Sequence, residues 1–500
     1  MSSGTQTWTP EGIGAADDAA GARDATSSGA VRSAPGLTTP AGTTGTVAET
    51  ASRTEQVVAL LATLIRNACV NDGSPDSGQE IRNARTLVEF FAGSGVEVEL
   101  VEPHPGRVSA IFRVRGTDPA APPLSLIGHT DVVPVDEENW SFAPFAGDVV
   151  DGAVRGRGAL DMLNLTASMA VVTREIATSG ARLAGDLVFA AVADEEAGSR
   201  FGMDWITTHR PGLVPTENAL TESGGLHVGS HVTVTVGEKG GAPRRLVAHG
   251  RGGHGSLPWG AANAALLAAE AALRVAAHRS RPVLDDRWRA FVAASPLSDD
   301  VRGALLDPER LDDALAELGT SARFGHAISH LTLSPNVLRS GAKGNVIPGR
   351  GEVDVDIRLL PGQTGDDADA AVSTALGDLA APDGPVEVLA GPARSASVSP
   401  DHGRLYDALV GAVTARFPGS QVLPLLTSGG TDARFVRERG GVAYGFALFS
   451  EAWDVGRFRS LFHGDDEQVD VESLRLTVDA LADVVSEFLA PAGATTEVER

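Results

Sequence analysis

Cysteine is nearly absent from this chain. Cys69 stands alone among 500 residues, which excludes an intrachain disulfide framework and a thiolate-rich metal site. A reducing, cytoplasmic setting fits that scarcity. Lysine is almost as rare: only two of the 41 basic residues are lysines, Lys239 and Lys343. A coding bias toward arginine explains this, and the two survivors point to places where an arginine fork would not serve. Positive charge is in deficit overall, with 65 acidic residues and a formal net charge of −24. Such a balance argues against nucleic acid and anionic membrane as partners. It still allows a locally basic pocket for a carboxylate substrate. No apolar run is long enough to span a bilayer. The N-terminus lacks the basic-then-apolar pattern of a secretory signal.

What is present suits a soluble α/β protein. The length allows about two to four domains, and 42% hydrophobic with 21% charged residues is ordinary for a globular chain. Residues 1–48 are Ser, Thr, Gly, Ala and Pro with few large apolar side chains, so a disordered tail is expected. Helices are expected from about 57 and over 80–92, followed by strands at 96–101, 108–114 and 124–127.

The stretch Leu124–Asp131, LSLIGHTD, organises the rest. An apolar strand ends there in His129 and Asp131. Parallel sheets place ligands at the carboxyl ends of their strands. An imidazole ligand there would give its second nitrogen to a carboxylate such as Asp131. A histidine after a strand is more often a simple loop residue, but the pattern recurs. The apolar run 187–193 ends in Asp194-Glu195-Glu196. Another, 219–221, ends in Glu222. Asp161 stands in a glycine-bearing loop just before a helix expected near Leu165, where a helix-capping carboxylate is the plainer explanation. His463 lies in a loop near the C-terminus, followed by Asp470 as the cap of a final helix. Three carboxylates at one strand end repel one another unless a cation or solvent compensates.

From Pro243 the character changes. A strand at 244–249 leads into GRGGHGSLP, which carries His254. An Ala/Leu-rich helix at 261–278, a polar helical stretch at 280–330, strands at 330–338 and 352–360, a helix at 366–379 and a strand at 386–389 follow. Two helices on an antiparallel sheet would form a separate α/β sandwich. After Ser397 the pattern of the first domain returns. The expected organisation is a tail at 1–48, a catalytic domain at 49–242 and 396–490, a lid at 243–395 and a flexible end at 491–500.

Collected, the ligand candidates are His129, Asp161, Glu196, Glu222 and His463. Two imidazoles and three carboxylates suit a pair of divalent ions with one carboxylate shared. Such a pair holds a hydroxide and polarises a carbonyl.

The ordered run GHTD, GRGALDM, ADEEAGSRFG, TESGG, GRGGHGS, GAKGNVIPGRGEVDVDIR, SGGTDARF and FHGDDE resembles the dinuclear-zinc exopeptidase family. That family includes aminoacylase, glutamate carboxypeptidase, acetylornithine deacetylase and succinyl-diaminopimelate desuccinylase. The likeness spans about residues 50 to 490, and eight motifs in one order are far more specific than any one of them. It implies a phosphorylase/hydrolase-like catalytic domain, with a mixed, mainly parallel sheet between helices, and an inserted α/β sandwich as lid and dimerisation domain.

The resemblance also implies roles. His129 and Glu222 would hold one metal, Glu196 and His463 the other, and Asp161 would bridge. Zinc is the expected metal, with cobalt or manganese as alternatives. Asp131 would orient His129, and Glu195 would be the general base. His254 would steady the oxyanion and, in dimeric members, act across the interface. Asn345 and Arg358 resemble lid residues that grip a substrate carboxylate, and Gly429, Gly430 and Thr431 resemble the loop lining that pocket. The substrate would be an N-acyl amino acid or dipeptide-like amide beside a free carboxylate.

Two departures stand out. Leu163-Asn164 replace a common Lys-Gly, and residues 280–330 look like surplus lid, as in the carboxypeptidase S-like branch. A second reading is a catalytically inactive dimeric scaffold of the same fold, yet no ligand or base is missing. A serine hydrolase built on Ser428 lacks the G-x-S-x-G elbow.

Overall fold

The computed structural model describes residues 51–491. The tail expected at 1–48, and all but the first residue of the one expected at 491–500, lie outside them. The first helix, Arg53–Arg66, opens on a capping box between Ser52 and Glu55. It buries Val57, Leu60, Leu61 and Leu64, the stripe read from helical spacing.

Leu124–His129 and Leu187–Val192 are buried along their whole lengths. Continuous apolar strands of this kind belong at the centre of a sheet covered on both faces. They pair in parallel, from Leu124 opposite Leu187 to His129 opposite Val192. Asn218–Thr221 pairs in parallel with Leu124–His129 on the other side and with Val442–Gly445 beyond. This shared direction brings their carboxyl ends to one edge. Arg107–Val114 and Glu97–His104 extend the sheet antiparallel at one side. Two strands, His231–Glu238 and Gln421–Thr427, go beyond the elements legible in the sequence. They pair in parallel and carry the sheet on past Val442–Gly445.

Leu163–Ser179 packs on this sheet and is buried over most of its turns. The approach is close enough to need Gly128. A Cβ there would stand 2.6 Å from Thr166 Oγ1, the hydroxyl that donates to the His129 carbonyl at 2.9 Å. Glycine thus lets the helix clamp the backbone of His129.

The inserted sheet is antiparallel. Arg350–Leu359 pairs with Thr332–Ser340 on one side and Arg244–His249 on the other, and Val386–Ala390 follows. The expected alternation of EVDVDIRLL is met, since every second residue of Arg350–Leu359 is buried. Helices Ala264–Ala277 and Gly365–Leu376 cover the apolar face and share a core with Leu246, Val353, Val355 and Ile357.

The helical stretch read as surplus lid packs elsewhere. Trp288, Phe291, Val292, Leu305 and Phe324 join the core of the catalytic domain, in one cluster with Val232, Val234 and Phe458. Helices Asp286–Ala294 and Ala322–Ser329 each present an apolar stripe to that domain. Among the described residues no helix is long and apolar enough to cross a membrane.

Trp288 is 1% exposed, and its Nε1 donates to the Leu305 carbonyl at 2.8 Å. Trp288→Ala should therefore lower unfolding stability by about 3–5 kcal/mol, read by chemical denaturation. A loss under about 1 kcal/mol would mean that the stretch folds apart from the catalytic core.

Candidate metal centre

His129 is the last residue of its strand, and Glu195 and Glu196 form a single turn after the next. Glu222 follows Asn218–Thr221 directly. Asp161 stands two residues before helix Leu163–Ser179, and its side chain does not cap that helix. His463 follows helix Val455–Leu461 with φ at +59°. The five expected ligands thus come from strand ends and loops far apart in the sequence.

They meet around Asp161. Its Oδ1 lies 3.0 Å from His129 Nε2, and its Oδ2 lies 2.8 Å from His463 Nε2. His463 Nε2 is also 3.2 Å from Glu196 Oε2. Ligand atoms of His129, Asp161 and Glu196 lie within 4.8 Å of one another, as do those of His129, Glu195 and Glu222. Glu196 Oε1 is buried without a hydrogen-bond partner, which suits an oxygen held for a cation. Nitrogen and oxygen donors in this number fit a pair of ions such as zinc.

A buried frame fixes these groups. Asp131 accepts from Asn71 Nδ2 at 2.8 Å and from the backbone N–H groups of Glu195 and Glu196, each at 3.2 Å. Its own carbonyl lies 3.0 Å from His129 Nδ1, and its carboxylate 3.6 Å away. The closer partner of that nitrogen is therefore the backbone oxygen, not the carboxylate anticipated from the sequence. Arg107 grips Glu80 with two nitrogens and reaches Asp194 at 2.7 Å. Asn71 joins Asp194 to Asp131. On the other side Glu467 accepts from the N–H groups of Gly158, Leu160 and Asp161 and from Arg157. Glu467 thus ties the Asp161 loop to the His463 loop.

Of these supports, Asp194 and Glu467 lie inside motifs already singled out, as neighbours of the acidic pair and of His463. Asn71, Glu80 and Arg107 carry no local signal; only the folded sheet brings them together. Asp432, in the SGGTDARF motif, is also buried, accepts from Ser199 Oγ at 2.5 Å and leaves Oδ2 unpartnered.

The remaining expected site residues are placed differently. Thr431 is buried and donates its hydroxyl and its N–H to Glu238. Gly429 and Gly430 precede it in the same loop, with open space around Gly429. His254 and Asn345 sit together on an exposed tip of the lid, where His254 pairs with Val346 and Gly255 N–H donates to the Asn345 carbonyl. The His254 ring meets Ser256. Arg358 lies on Arg350–Leu359 and pairs with Asp356 at 3.0 Å. None of these contacts joins the lid residues to the carboxylates of the centre.

Burial sets the electrostatics. It pushes Glu195 and Glu222 well above the usual carboxylate range, and Glu196 up to about 7, with Asp161 adding to the shift of Glu196 and Glu222. Burial opposes protonation of His463, but Asp161 and Glu196 outweigh it and raise the imidazole to about 10. A group whose pKa rises on folding holds protons that the unfolded chain has released, so its contribution falls as pH rises. Raised carboxylates and raised histidines act in the same direction. Metal-free protein should therefore lose stability from about pH 4.5 to 7, and the increment from added Zn²⁺ should widen over that span. Thermal melts of chelated and loaded protein across this range check it; a chelated protein that grows steadily more stable would contradict it.

Comparison with known proteins places the chain. Residues 125–487 match the model of peptidase family M20/M25/M40. A succinyl-diaminopimelate desuccinylase of Gluconacetobacter diazotrophicus is 28% identical, over 83% of this chain and 92% of its own. The human N-fatty-acyl-amino acid synthase/hydrolase PM20D1 is 24% identical, over 78% of each. Among solved structures, the M20 metallo-carboxypeptidase Sso-CP2 from Sulfolobus solfataricus superposes with a TM-score of 0.67 at 17% identity, over 87% of this chain and 99% of that one. Human carnosine dipeptidase 1 superposes at 0.63, also at 17% identity, over 87% and 96%. With the model match running from the strand that ends in His129 into the last helix, the chain belongs to peptidase family M20/M25/M40 and is a hydrolase of amide C–N bonds.

Proposed function

We propose that this hydrolase cleaves an amide or peptide bond beside a free carboxylate, in an N-acyl amino acid or dipeptide-like substrate, at a centre for two divalent ions. The observation that carries the proposal is the Asp161 carboxylate, which turns one oxygen to His129 and the other to His463. His129 and Glu222 would hold one ion, Glu196 and His463 the other, and Asp161 both. Zinc fits the mixed nitrogen and oxygen donors, and cobalt or manganese would serve as alternatives. Bound there, the ions would supply Lewis acidity toward the amide carbonyl and the attacking water.

The chain's own groups do the rest. Glu195 takes a proton from the attacking water and returns it to the leaving nitrogen. Nearby cations would offset the burial that otherwise keeps this carboxyl protonated. Asp131 holds the N–H groups of Glu195 and Glu196, so the base and its neighbour keep their orientation. His254 would donate to the developing oxyanion. Asn345 and Arg358, with Gly429, Gly430 and Thr431, would receive the carboxylate; a guanidinium fork can bind both oxygens. A cytoplasmic location accords with the single buried cysteine.

Glu195→Gln keeps size and burial but cannot accept the proton. Turnover of an N-acyl amino acid panel should fall by about 10²–10⁴-fold, while elemental analysis still finds close to two ions. If Glu195→Gln loses metal and Glu196→Gln keeps it, the roles of the two neighbours are reversed.

The exposed lid supports a homodimer. Trp259, Leu266 and Leu273 are exposed there at 97%, 69% and 72%, and Thr332–Ser340 is an edge strand open to pairing. A twofold contact of that kind is the commonest route to an oligomer, and it would carry His254 of one protomer to the centre of its partner. Mixing inactive His254→Ala with inactive Glu195→Gln under subunit exchange should restore part of the activity, because each mixed dimer holds one complete site. No recovery despite proven exchange would place His254 within its own chain or outside the reaction.

A further inference from the structure

Arg459 is a cation beside the centre that has no carboxylate partner among the described residues. It lies on helix Val455–Leu461, four residues before His463. Its guanidinium packs among three rings, 5.2 Å from the centroid of Phe462, 5.4 Å from Phe324 and 5.8 Å from Phe458. Phe462 in turn stacks on the His463 ring at 4.8 Å. Nη2 donates to Thr427 Oγ1 at 3.0 Å, at the start of the loop that runs on to Gly429, Gly430 and Thr431. Nε is buried with no hydrogen-bond partner. No carboxylate among the described residues makes ion-pair contact with it.

Two kinds of observation locate this group by the cleft. Asp161 and Glu222 act on it through space, opposing the burial that presses the guanidinium toward its neutral form. It also lines a narrow cavity with Ser223 and Gly224, the two residues after Glu222, and with Thr235 and Phe324. A guanidinium is always charged, and its planar fork matches a carboxylate. Aromatic walls hold the fork and limit its hydration. A buried N–H without an acceptor is unfavourable until an acceptor arrives. A purely structural arginine in such surroundings would be expected to close on a carboxylate of its own chain, and this one does not.

We propose that Arg459 is a specificity residue that receives a substrate carboxylate on the catalytic-domain side of the cleft, so that the enzyme selects anionic N-acyl amino acids. The inference rests on the amide-hydrolase reading for the position of the cleft. The carboxylate has two sources, the one beside the scissile amide or one at the far end of the acyl group. In either case the guanidinium is the group it meets.

The test uses the full chain, metal-loaded, as wild type, Arg459→Gln, Arg459→Lys and Thr427→Val. Three substrates with the same amino acid are compared: N-acetyl, N-succinyl, and N-acetyl with the carboxylate capped as an amide. kcat and KM are measured separately, with bound metal as a control. Arg459→Gln should lower kcat/KM about 10–100-fold, mainly through KM, wherever the contact exists. A loss confined to the succinyl substrate assigns the acyl end; a loss on both acids that spares the capped compound assigns the carboxylate beside the amide. Arg459→Lys keeps charge without the fork and should lose less. Thr427→Val should follow the same pattern more weakly. Equal losses on all three substrates, or loss of bound metal, overturn the proposal. Calorimetric binding of glutarate, which has no scissile bond, separates this inference from the hydrolase reading. Weaker glutarate binding by Arg459→Gln sustains the contact even if none of the amides is cleaved, and unchanged binding overturns it.

Discussion

Repulsion among buried carboxylates governs this molecule. Asp131, Asp161 and Asp194 are each under 5% exposed, Glu222 is 6% exposed, and Glu195 and Glu196 stand beside them. Like charges a few ångströms apart in a poorly hydrated volume cannot all ionise unless positive partners are held equally firmly. The fold answers at two levels. Asp194 and Glu80 receive Arg107, and Glu467 receives Arg157 and three backbone N–H groups. Arg157 matches the charge of Glu467 inside the protein, and Asp194 and Glu80 share the single charge of Arg107. Among the described residues, Asp161, Glu196 and Glu222 have ion-pair contacts with His129 and His463 alone or with none, Arg459 acts on Asp161 and Glu222 only through space, and the shortfall is what a pair of cations would fill.

That division also explains which residues were legible in advance. Groups that face a ligand sit at strand ends or in glycine-rich loops, so GHTD, DEE, TESGG and FHGDDE stand out from apolar runs. Of the groups that neutralise the frame, Arg157 shares the GRGALDM loop with Asp161, but Arg107 and Glu80 carry no such mark. Arg107 begins an antiparallel strand and Glu80 precedes a helix without capping it through its side chain, and neither is marked by its neighbours in sequence. The strand His231–Glu238 was hidden for a related reason. Its threonines imitate a half-exposed alternation, yet Thr233 and Thr235 are 3% and 7% exposed, because both faces of the sheet are covered there. The second partner of His129 shows a limit of finer scale. Spacing alone could not tell the Asp131 carbonyl from its carboxylate, which differ by 0.6 Å in distance to Nδ1, at 3.0 Å and 3.6 Å.

The stretch 285–329 shows why insertion length misleads. Read along the chain it falls within the inserted lid, between the Ala264–Ala277 helix and the strand Thr332–Ser340. Physically it returns to the catalytic domain, because Trp288, Phe291 and Phe324 find apolar partners there. The lid that remains is a small sandwich with one helical layer. Phe324 meanwhile reaches Arg459, so the returning stretch contributes to the walls beside the metal centre as well as to stability.

Lys239 explains how that stretch is held, and why one of the two lysines was kept. It sits between His231–Glu238 and Gly240–Gly241, where the chain leaves the catalytic sheet for the lid. Its Nζ donates to the carbonyls of Ala327 and His330, each at 2.7 Å, and to Thr332 Oγ1 at 3.2 Å. These acceptors cluster at the end of helix Ala322–Ser329 and the start of the following strand. A single ammonium offers three donors from one atom, directed tetrahedrally, and can meet all of them. A guanidinium spreads its donors across a plane and cannot aim three of them from one atom. Burial pushes the Lys239 pKa down to about 7, with Arg358 adding to the shift. Three acceptors keep the amine hydrogen-bonded in either protonation state. One buried lysine therefore joins the catalytic sheet, the returning helix and the first residues of the lid at the point where the two domains meet.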